Sequence, residues 1–220
     1  MTKKLTTELL KREAQEFSYL ESAHKEKSLF GITDGKAVGT YLEHKFRDYL
    51  RSKYTFEEGS SASGIDFPGL QVDMKVTSVN QPQSSCPFKS ARQKVFGLGY
   101  SLLVFVYQKT DEARTRTASL NILHTIFVNA EQTADYQMTV GLRNILENNG
   151  NREDLIAYIS DKNLPLDEIG AEKLADEILS NPPQIGYLTI SNALQWRLQY
   201  SRAIERAGIE TGVSLVYRAK

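Results

Sequence analysis

The sequence predicts an α/β fold in which helices flank a mixed central sheet. A helical apolar period follows Asp34, a strict alternation of apolar and polar residues covers Leu70–Thr77, and an unbroken apolar run covers Tyr100–Tyr107. These patterns are typical of an amphipathic helix, of a strand with one polar face, and of a strand buried on both faces. Helices and strands that follow one another in this order favour a sheet covered by helices.

Two helices are predicted before the first strand. The first spans residues 5–27, and the second runs from about Lys36 to Tyr54 with Asp34 as its N-cap. On a helical wheel, the apolar residues of the second helix share one face, and Glu43 lies at the edge of that face. We therefore expect Glu43 at the boundary between the buried and the exposed side of this helix.

The middle of the chain has the period of strands. Its predicted elements are a short strand at Ile65–Phe67 ended by Pro68 and Gly69, the alternating strand at Leu70–Thr77, a helix at Phe88–Gly97, the buried strand at Tyr100–Tyr107 and a strand at Leu120–Val128. A mixed sheet follows from this order of strand, helix and strand.

The C-terminal region, about residues 139–220, is predicted to be mainly helical. A strand is expected at Ile185–Ile190, a last long helix from Ser191 through Ala207, and a closing strand in the sequence VSLVY. No linker in the sequence is rich enough in Gly, Ser or Pro to force a domain boundary, so residues 1–220 are expected to form a single domain with its core at about 34–128.

The composition excludes few partners. The chain has 220 residues, with 27 Lys and Arg against 27 Asp and Glu, so it lacks the basic excess of a non-specific nucleic-acid binder. A nuclease can still be neutral, because its metal-binding carboxylates offset a basic groove. Cys86 is the only cysteine, the N-terminus has no secretory h-region, and no apolar run reaches the length of a membrane span. These features predict a cytoplasmic location.

The chemistry of the sequence is concentrated at Asp66, Asp73 and Lys75. Asp73 and Lys75 are two residues apart on the alternating strand, so they point the same way, about 7 Å apart. Asp66 precedes them across the Pro68–Gly69 turn. Two converging carboxylates repel each other unless a hard cation lies between them, and Mg²⁺ binds one or two carboxylates together with water and phosphate oxygens. A lysine beside that cation can stabilise negative charge on a reacting phosphate, which predicts phosphodiester hydrolysis.

These residues resemble the signature of the PD-(D/E)xK nuclease superfamily. Asp66, six intervening residues and then Asp73-Met74-Lys75 on a strand match its pattern, with Ile65 in place of the usual proline. The stretches GIDFPGLQVDMKVTS and KSARQKVFGLGYSLLVFVY are similar to type II restriction endonucleases. The resemblance covers about residues 34–128 and implies a restriction-endonuclease-like core, Mg²⁺ as cofactor, double-stranded DNA as substrate and a homodimer for a palindromic site.

The resemblance also implies roles for two residues outside the signature. Members of the superfamily commonly add a metal-binding carboxylate from the preceding helix, which Glu43 matches, and polar residues from the helix after the lysine strand, for which Gln93 is the candidate. Each residue has a simpler interpretation: Glu43 as a surface partner of Arg47 at i+4, and Gln93 as part of a solvated helix face. Asp73 and Lys75 could likewise belong to a solvated strand face.

The predicted last helix offers a candidate surface for reading DNA. Opposite its Trp196 and Tyr200 face, four long polar side chains share one stripe, namely Gln195, Gln199, Arg202 and Arg206. Gln can pair with adenine and Arg with guanine in the major groove. The alternative interpretation is the wet side of an ordinary amphipathic helix.

Three functions are therefore compatible with the sequence. The first is a sequence-specific type II restriction enzyme, the second is a repair or junction-resolving nuclease of the same fold, and the third is a DNA-binding protein without catalysis. An intact set of Asp66, Asp73 and Lys75 argues against the third.

Overall fold

The computed structural model describes residues 3–59, 64–86, 89–191 and 196–220. Its helices are α1 (Thr7–Ser22), α2 (Gly35–Arg51), α3 (Gln93–Phe96), α4 (Tyr136–Glu147), α5 (Arg152–Asp161), α6 (Glu168–Ser180) and α7 (Ser201–Arg206). Its strands are β1 (Lys3–Lys4), β2 (Tyr54–Thr55), β3 (Val72–Ser78), β4 (Gln83–Cys86), β5 (Ser101–Glu112), β6 (Thr117–Val128), β7 (Thr189–Ile190), β8 (Trp196–Gln199) and β9 (Val213–Arg218).

The central sheet is mixed, as the sequence predicted. Its order is β3-β5-β6-β9, with β3 parallel to β5 and the other neighbours antiparallel. Strand β3 lies at the edge, and Asp73 is paired with Leu102 while Lys75 is paired with Val104. A mixed sheet with flanking helices confirms the predicted α/β fold class and is consistent with a restriction-endonuclease-like core.

The two faces of the central sheet bury different clusters. On one face, Val72 and Met74 pack with the apolar sides of α1 and α2, including Leu42 and Phe46. On the other face, side chains of β5 and β6 pack with the small sheet β4-β8-β7, whose members include Trp196. The alternation of β3 therefore turns Asp73 and Lys75 away from α2 and toward the small sheet.

A third apolar cluster joins α4, α5 and α6. It buries Leu142, Leu155 and Ile178 and also contacts α3 through Val95. This cluster accounts for the helical part of the predicted C-terminal region. Among the described helices, none is long and apolar enough to cross a membrane.

The predicted long helix from Ser191 through Ala207 is wrong. Trp196–Gln199 is a strand, and only Ser201–Arg206 is helical. The apolar residues Trp196, Leu198 and Tyr200 recur every second residue, and strand β8 pairs with both β4 and β7. Because the residues at i and i+4 fit a helical wheel as well as a strand, the tertiary pairing decides the structure.

Candidate functional site

Helix α2 carries Glu43 to the edge of the central sheet. Asp34 caps the helix as predicted, accepting hydrogen bonds from the backbone N–H groups of Lys36 at 3.0 Å and Ala37 at 3.3 Å. With the apolar face of α2 fixed against β3 and β5, Glu43 and Arg47 lie one helical turn apart above the start of β3. Both side chains line a cavity of about 380 Å³.

Asp66 lies in a loop that folds back on β3, and the predicted strand at Ile65–Phe67 is wrong. Only Phe67 pairs with Val72, as an isolated antiparallel bridge, and Pro68–Leu70 forms a single 3-10 turn. The Asp66 carboxylate accepts a hydrogen bond from the backbone N–H of Met74 at 2.9 Å. Since β3 is an edge strand, a side chain satisfies this N–H in place of a neighbouring strand.

Asp73 and Lys75 form an ion pair on the polar face of β3. Nζ of Lys75 lies 2.7 Å from Oδ2 of Asp73, whose side chain is only 5% exposed. Burial raises the pKa of Asp73 to about 6, Lys75 opposes this rise, and the nearby Asp66 carboxylate adds to it. Burial lowers the pKa of Lys75, but the carboxylates of Asp73, Asp66 and Glu43 more than offset it, so the net pKa is raised.

The cavity brings Glu43, Asp66, Asp73 and Lys75 together. Burial and the Asp66 carboxylate raise the pKa of Glu43 to about 7, whereas Lys75 and Arg47 lower it. The lining residues are Glu43, His44, Arg47, Gly59, Gly64, Ile65, Asp66, Asp73, Met74 and Lys75. Three acids and two strong bases in one cavity leave an excess of negative charge when all are ionised. A divalent cation would relieve this excess.

The donor set of the cavity leaves room for ligands to a cation that do not come from the protein. Within the described ranges, no group of three or more His, Cys, Asp or Glu side chains is arranged to hold a metal ion. The carboxylates of Asp66, Asp73 and Glu43 line the same cavity, and the Asp66 carboxylate raises the pKa of both Asp73 and Glu43. Two carboxylates with room for water and phosphate oxygens are the surroundings that Mg²⁺ prefers.

Arg47 is a residue of the cavity that the sequence interpretation assigned only as a surface partner of Glu43. Its Nη1 lies 3.8 Å from Oδ1 of Asp66, and its side chain is largely buried. The sequence carries a signal that places Arg47 beside Glu43, because position i+4 from Glu43 lies on the same stripe of α2. His44 also lines the cavity.

The structure does not bring Gln93 into this cavity. Nε2 of Gln93 donates to the carbonyl of Leu98 at 3.3 Å, and its Oε1 accepts from the backbone N–H of Lys89 at 3.4 Å. The predicted helix at Phe88–Gly97 is only four residues long, although Phe88 itself lies outside the described residues. The backbone N–H groups of Gln93, Lys94 and Val95 donate to residue i−3, as in a turn, and Gly97 ends the helix with a φ of 86°.

The four residues of the predicted DNA-reading stripe do not share one helix. Gln195 lies outside the described residues, and Gln199 is on β8. The Arg202 guanidinium stacks on the ring of Tyr136 at 3.7 Å, and Arg206 pairs with Glu210 at 3.6 Å. The direction of the Gln199 side chain is therefore set by strand β8 and not by a helix.

The mixed central sheet flanked by helices is consistent with a restriction-endonuclease-like fold. A family model described as "Type II restriction enzyme NspV" matches residues 4–215. The chain is 69% identical over 214 residues, 97% of each chain, to the type II restriction enzyme NspV of Nostoc sp. (strain ATCC 29411 / PCC 7524). No solved structure matches the chain significantly.

The chain belongs to the NspV family of type II restriction enzymes. It is thus a restriction endodeoxyribonuclease, and DNA is its substrate. Of the three functions compatible with the sequence, this membership favours the first over a repair nuclease and over a DNA-binding protein without catalysis. Type II restriction enzymes generally use a divalent metal.

Proposed function

We propose that this restriction enzyme hydrolyses phosphodiester bonds of double-stranded DNA in an Mg²⁺-dependent reaction centred on Asp66, Asp73 and Lys75. The observation that carries the proposal is the shared cavity, in which the ion pair between Asp73 and Lys75 lies beside the Asp66 carboxylate at the edge of the sheet. An edge strand leaves the polar side of this cavity open to a phosphate backbone.

Asp66 and Asp73 would hold the metal, with Glu43 acting at longer range. When bound, Mg²⁺ would polarise the scissile phosphate and lower the pKa of a bound water. The hydrogen bond from Met74 fixes the Asp66 carboxylate, and burial beneath the small sheet fixes Asp73. Lys75 places its ammonium within the cavity, where it stabilises charge that develops on the phosphate oxygens.

Arg47 stabilises the ionised carboxylates of the cavity through its positive charge. Its guanidinium lowers the pKa of Glu43 and lies beside Asp66. Gln93 is not assigned a role in this reaction, because its amide is held by Leu98 and Lys89. A homodimer would present two such cavities to the two strands of a palindromic site.

Plasmid digestion tests this proposal. The protein is incubated with a plasmid of known sequence in Mg²⁺, in Ca²⁺ and in EDTA, and the ends of the products are sequenced. We expect a fixed set of fragments in Mg²⁺ alone, with cuts placed symmetrically in one palindrome. Cleavage in EDTA would overturn the metal dependence, and fragments without a common sequence would overturn the sequence-specific reaction. Light scattering measures the mass of the protein in solution and tests the homodimer.

A further inference from the structure

The small sheet β4-β8-β7 has one apolar face and one polar face. The apolar face contributes Cys86, Trp196 and Leu198 to the cluster that it shares with the central sheet. Residues of the opposite parity point outward, and we call this set the outer face: Gln83, Ser85, Thr189, Arg197 and Gln199. Within the outer face, Ser85, Arg197 and Gln199 are exposed.

The register of the strands arranges the outer face as a regular array. Gln83 lies opposite Gln199, Ser85 lies opposite Arg197, and Thr189 lies opposite Gln199 on the other side of β8. Side chains two residues apart on a strand are about 7 Å apart, and neighbouring strands are about 4.8 Å apart. None of the residues in these three strands is acidic. The array therefore combines hydrogen-bonding groups with one positive charge.

The side chains of Arg197 and Gln199 lack a partner among the described residues, although the backbone N–H of Arg197 donates to Ser191 Oγ at 3.1 Å. No ion pair, ring contact or hydrogen bond of either side chain is found in the part of the chain that the structure describes. The neighbouring arginines differ, since Arg202 stacks on Tyr136 and Arg206 pairs with Glu210. An exposed arginine side chain without a partner among the described residues, beside glutamine and serine, is available to a ligand.

The outer face belongs to the part of the molecule that contains the cavity. The small sheet packs on the face of the central sheet that carries Asp73 and Lys75. Thr77 on β3 ties the two sheets together, because its hydroxyl accepts from the backbone N–H of Gln83 at 3.0 Å. Packed sheets lie about 10 Å apart, so the small sheet lies in the layer next to the strand that carries Asp73 and Lys75.

We infer that the outer face of the small sheet reads base edges in the major groove of the DNA that the cavity cleaves, an inference that rests on the proposed function. The major groove admits a two-stranded ribbon such as β4-β8. Arg197 can bind guanine bidentately, Gln199 and Gln83 can bind adenine, and Ser85 can bind either base. A spacing of about 7 Å along β8 covers about two base-pair steps of 3.4 Å.

The experiment begins with the sequence that the wild-type protein cuts, obtained from the plasmid digest. Binding is then measured in Ca²⁺, at two salt concentrations, on a duplex with that sequence and on a duplex in which it is scrambled. The variants are Arg197→Ala, Arg197→Lys and Gln199→Ala. Arg114→Ala, at an exposed arginine of the turn between β5 and β6, is the matched control.

We expect Arg197→Ala and Gln199→Ala each to weaken binding to the cleaved sequence by roughly ten- to a hundredfold, with little change on the scrambled duplex. Arg197→Lys should lose most of the preference but keep the charge, since an ammonium cannot form the planar bidentate pair of a guanidinium. Arg114→Ala should bind like the wild type.

Three results would overturn the inference. If the wild type cuts a fixed sequence and the outer-face variants keep its preference, the outer face does not read bases, although the proposed function stands. If Arg197→Ala weakens both duplexes equally and Arg197→Lys restores both, Arg197 contacts phosphate. If the wild type cuts no DNA, the proposed function fails and the inference fails with it. Should Arg197→Ala not fold, Arg197→Lys and Gln199→Ala still carry the test.

Discussion

The Asp66 carboxylate accepts a hydrogen bond from the backbone N–H of Met74, the residue between Asp73 and Lys75. A side chain from one loop is thereby fixed to the strand that carries the other two polar groups of the cavity. This contact explains how Asp66, without a strand of its own, is held beside Asp73. A substitution of Asp66 by Asn can therefore remove the negative charge while it keeps the hydrogen bond from Met74.

Asp66→Asn should keep the fold and lose cleavage. The amide oxygen can still accept from Met74, but the negative charge that would hold the metal is gone. We expect cleavage in Mg²⁺ to fall by about a hundredfold or more, because a metal contributes several kcal/mol of charge stabilisation in the transition state. Initial rates on a plasmid and binding in Ca²⁺ are the measurements. Cleavage at the wild-type rate would remove Asp66 from the set of metal ligands.

Asp73→Asn and Lys75→Ala should each abolish most cleavage while the protein stays folded. The first removes a carboxylate of the cavity, and the second removes the positive charge nearest to it. We expect losses of about a hundredfold or more for each. Asp161→Asn, at an exposed aspartate at the end of α5, is the matched control for the first change. A folded Lys75→Ala variant with normal rates would contradict the proposed role of the lysine.

Glu43→Gln should have a milder effect than the changes on β3. Glu43 lines the cavity from α2 and interacts with Asp66 and Asp73 through charge rather than by a direct hydrogen bond between described groups. We expect a loss of about tenfold, in the range of a residue that acts through a metal-bound water. Rates measured over a series of Mg²⁺ concentrations show whether the loss lies in metal affinity. Complete inactivity would place Glu43 among the direct ligands, and an unchanged rate would support a structural role.

The central sheet and the polar strand could be predicted because their signals are local. Asp73 and Lys75 share a strand with strict alternation, and Asp34 caps α2 through its own side chain. Such patterns depend on residues close together in the sequence. The structure therefore agrees with the sequence in the fold class, and it brings Glu43, Asp66, Asp73 and Lys75 to one cavity but not Gln93.

The small sheet could not be predicted because its strands meet only in three dimensions. Strand β8 pairs with β4, more than a hundred residues earlier in the chain, and with the two-residue strand β7. A helical wheel groups Gln199 with Arg202 and Arg206, whereas the strand period groups it with Arg197, which the sequence interpretation did not select. The role of Asp66 as a partner of an edge-strand N–H was likewise hidden, because it depends on which strand lies at the edge.

The stability of the protein should fall at acid pH because of Glu13. This carboxylate is almost fully buried and accepts hydrogen bonds from Lys53, Arg12, Tyr54 and Tyr49. Burial alone would raise the pKa of Glu13, but these donors lower it to about 2. A lowered folded-state pKa stabilises the fold above the ordinary pKa of 4.5, and this stabilisation is lost as the pH falls from there toward 2.

Glu13→Gln should remove this pH dependence. The expected loss of unfolding free energy at neutral pH is about 1–2 kcal/mol, because solvent screens the half-exposed Lys53 and Arg12. Urea unfolding of the wild type and the variant between pH 2.5 and 7 provides the comparison. The two curves should converge at the acid end. A constant difference at every pH would mean that packing, rather than the charge of Glu13, supports this site.

Among the N-cap residues, the loss of Asp135 should lower the unfolding free energy the most, since its carboxylate binds backbone N–H groups of two elements. Its carboxylate accepts from the N–H of Met138 at 2.9 Å, which caps α4, and from the N–H of Ile190 at 2.7 Å, which anchors β7. Both bonds are buried, so Asp135→Ala leaves two N–H groups without a partner. We expect it to lower the unfolding free energy by about 2–4 kcal/mol.

Asp167→Ala, at the exposed cap of α6 with its single bond to Gly170, should lower the unfolding free energy by about 1 kcal/mol. Urea unfolding of the two variants decides the comparison, and equal losses would show that the bond to Ile190 contributes nothing. Since β7 contributes Thr189 to the outer face, Asp135→Ala should also weaken binding to the cleaved sequence more than Asp167→Ala does.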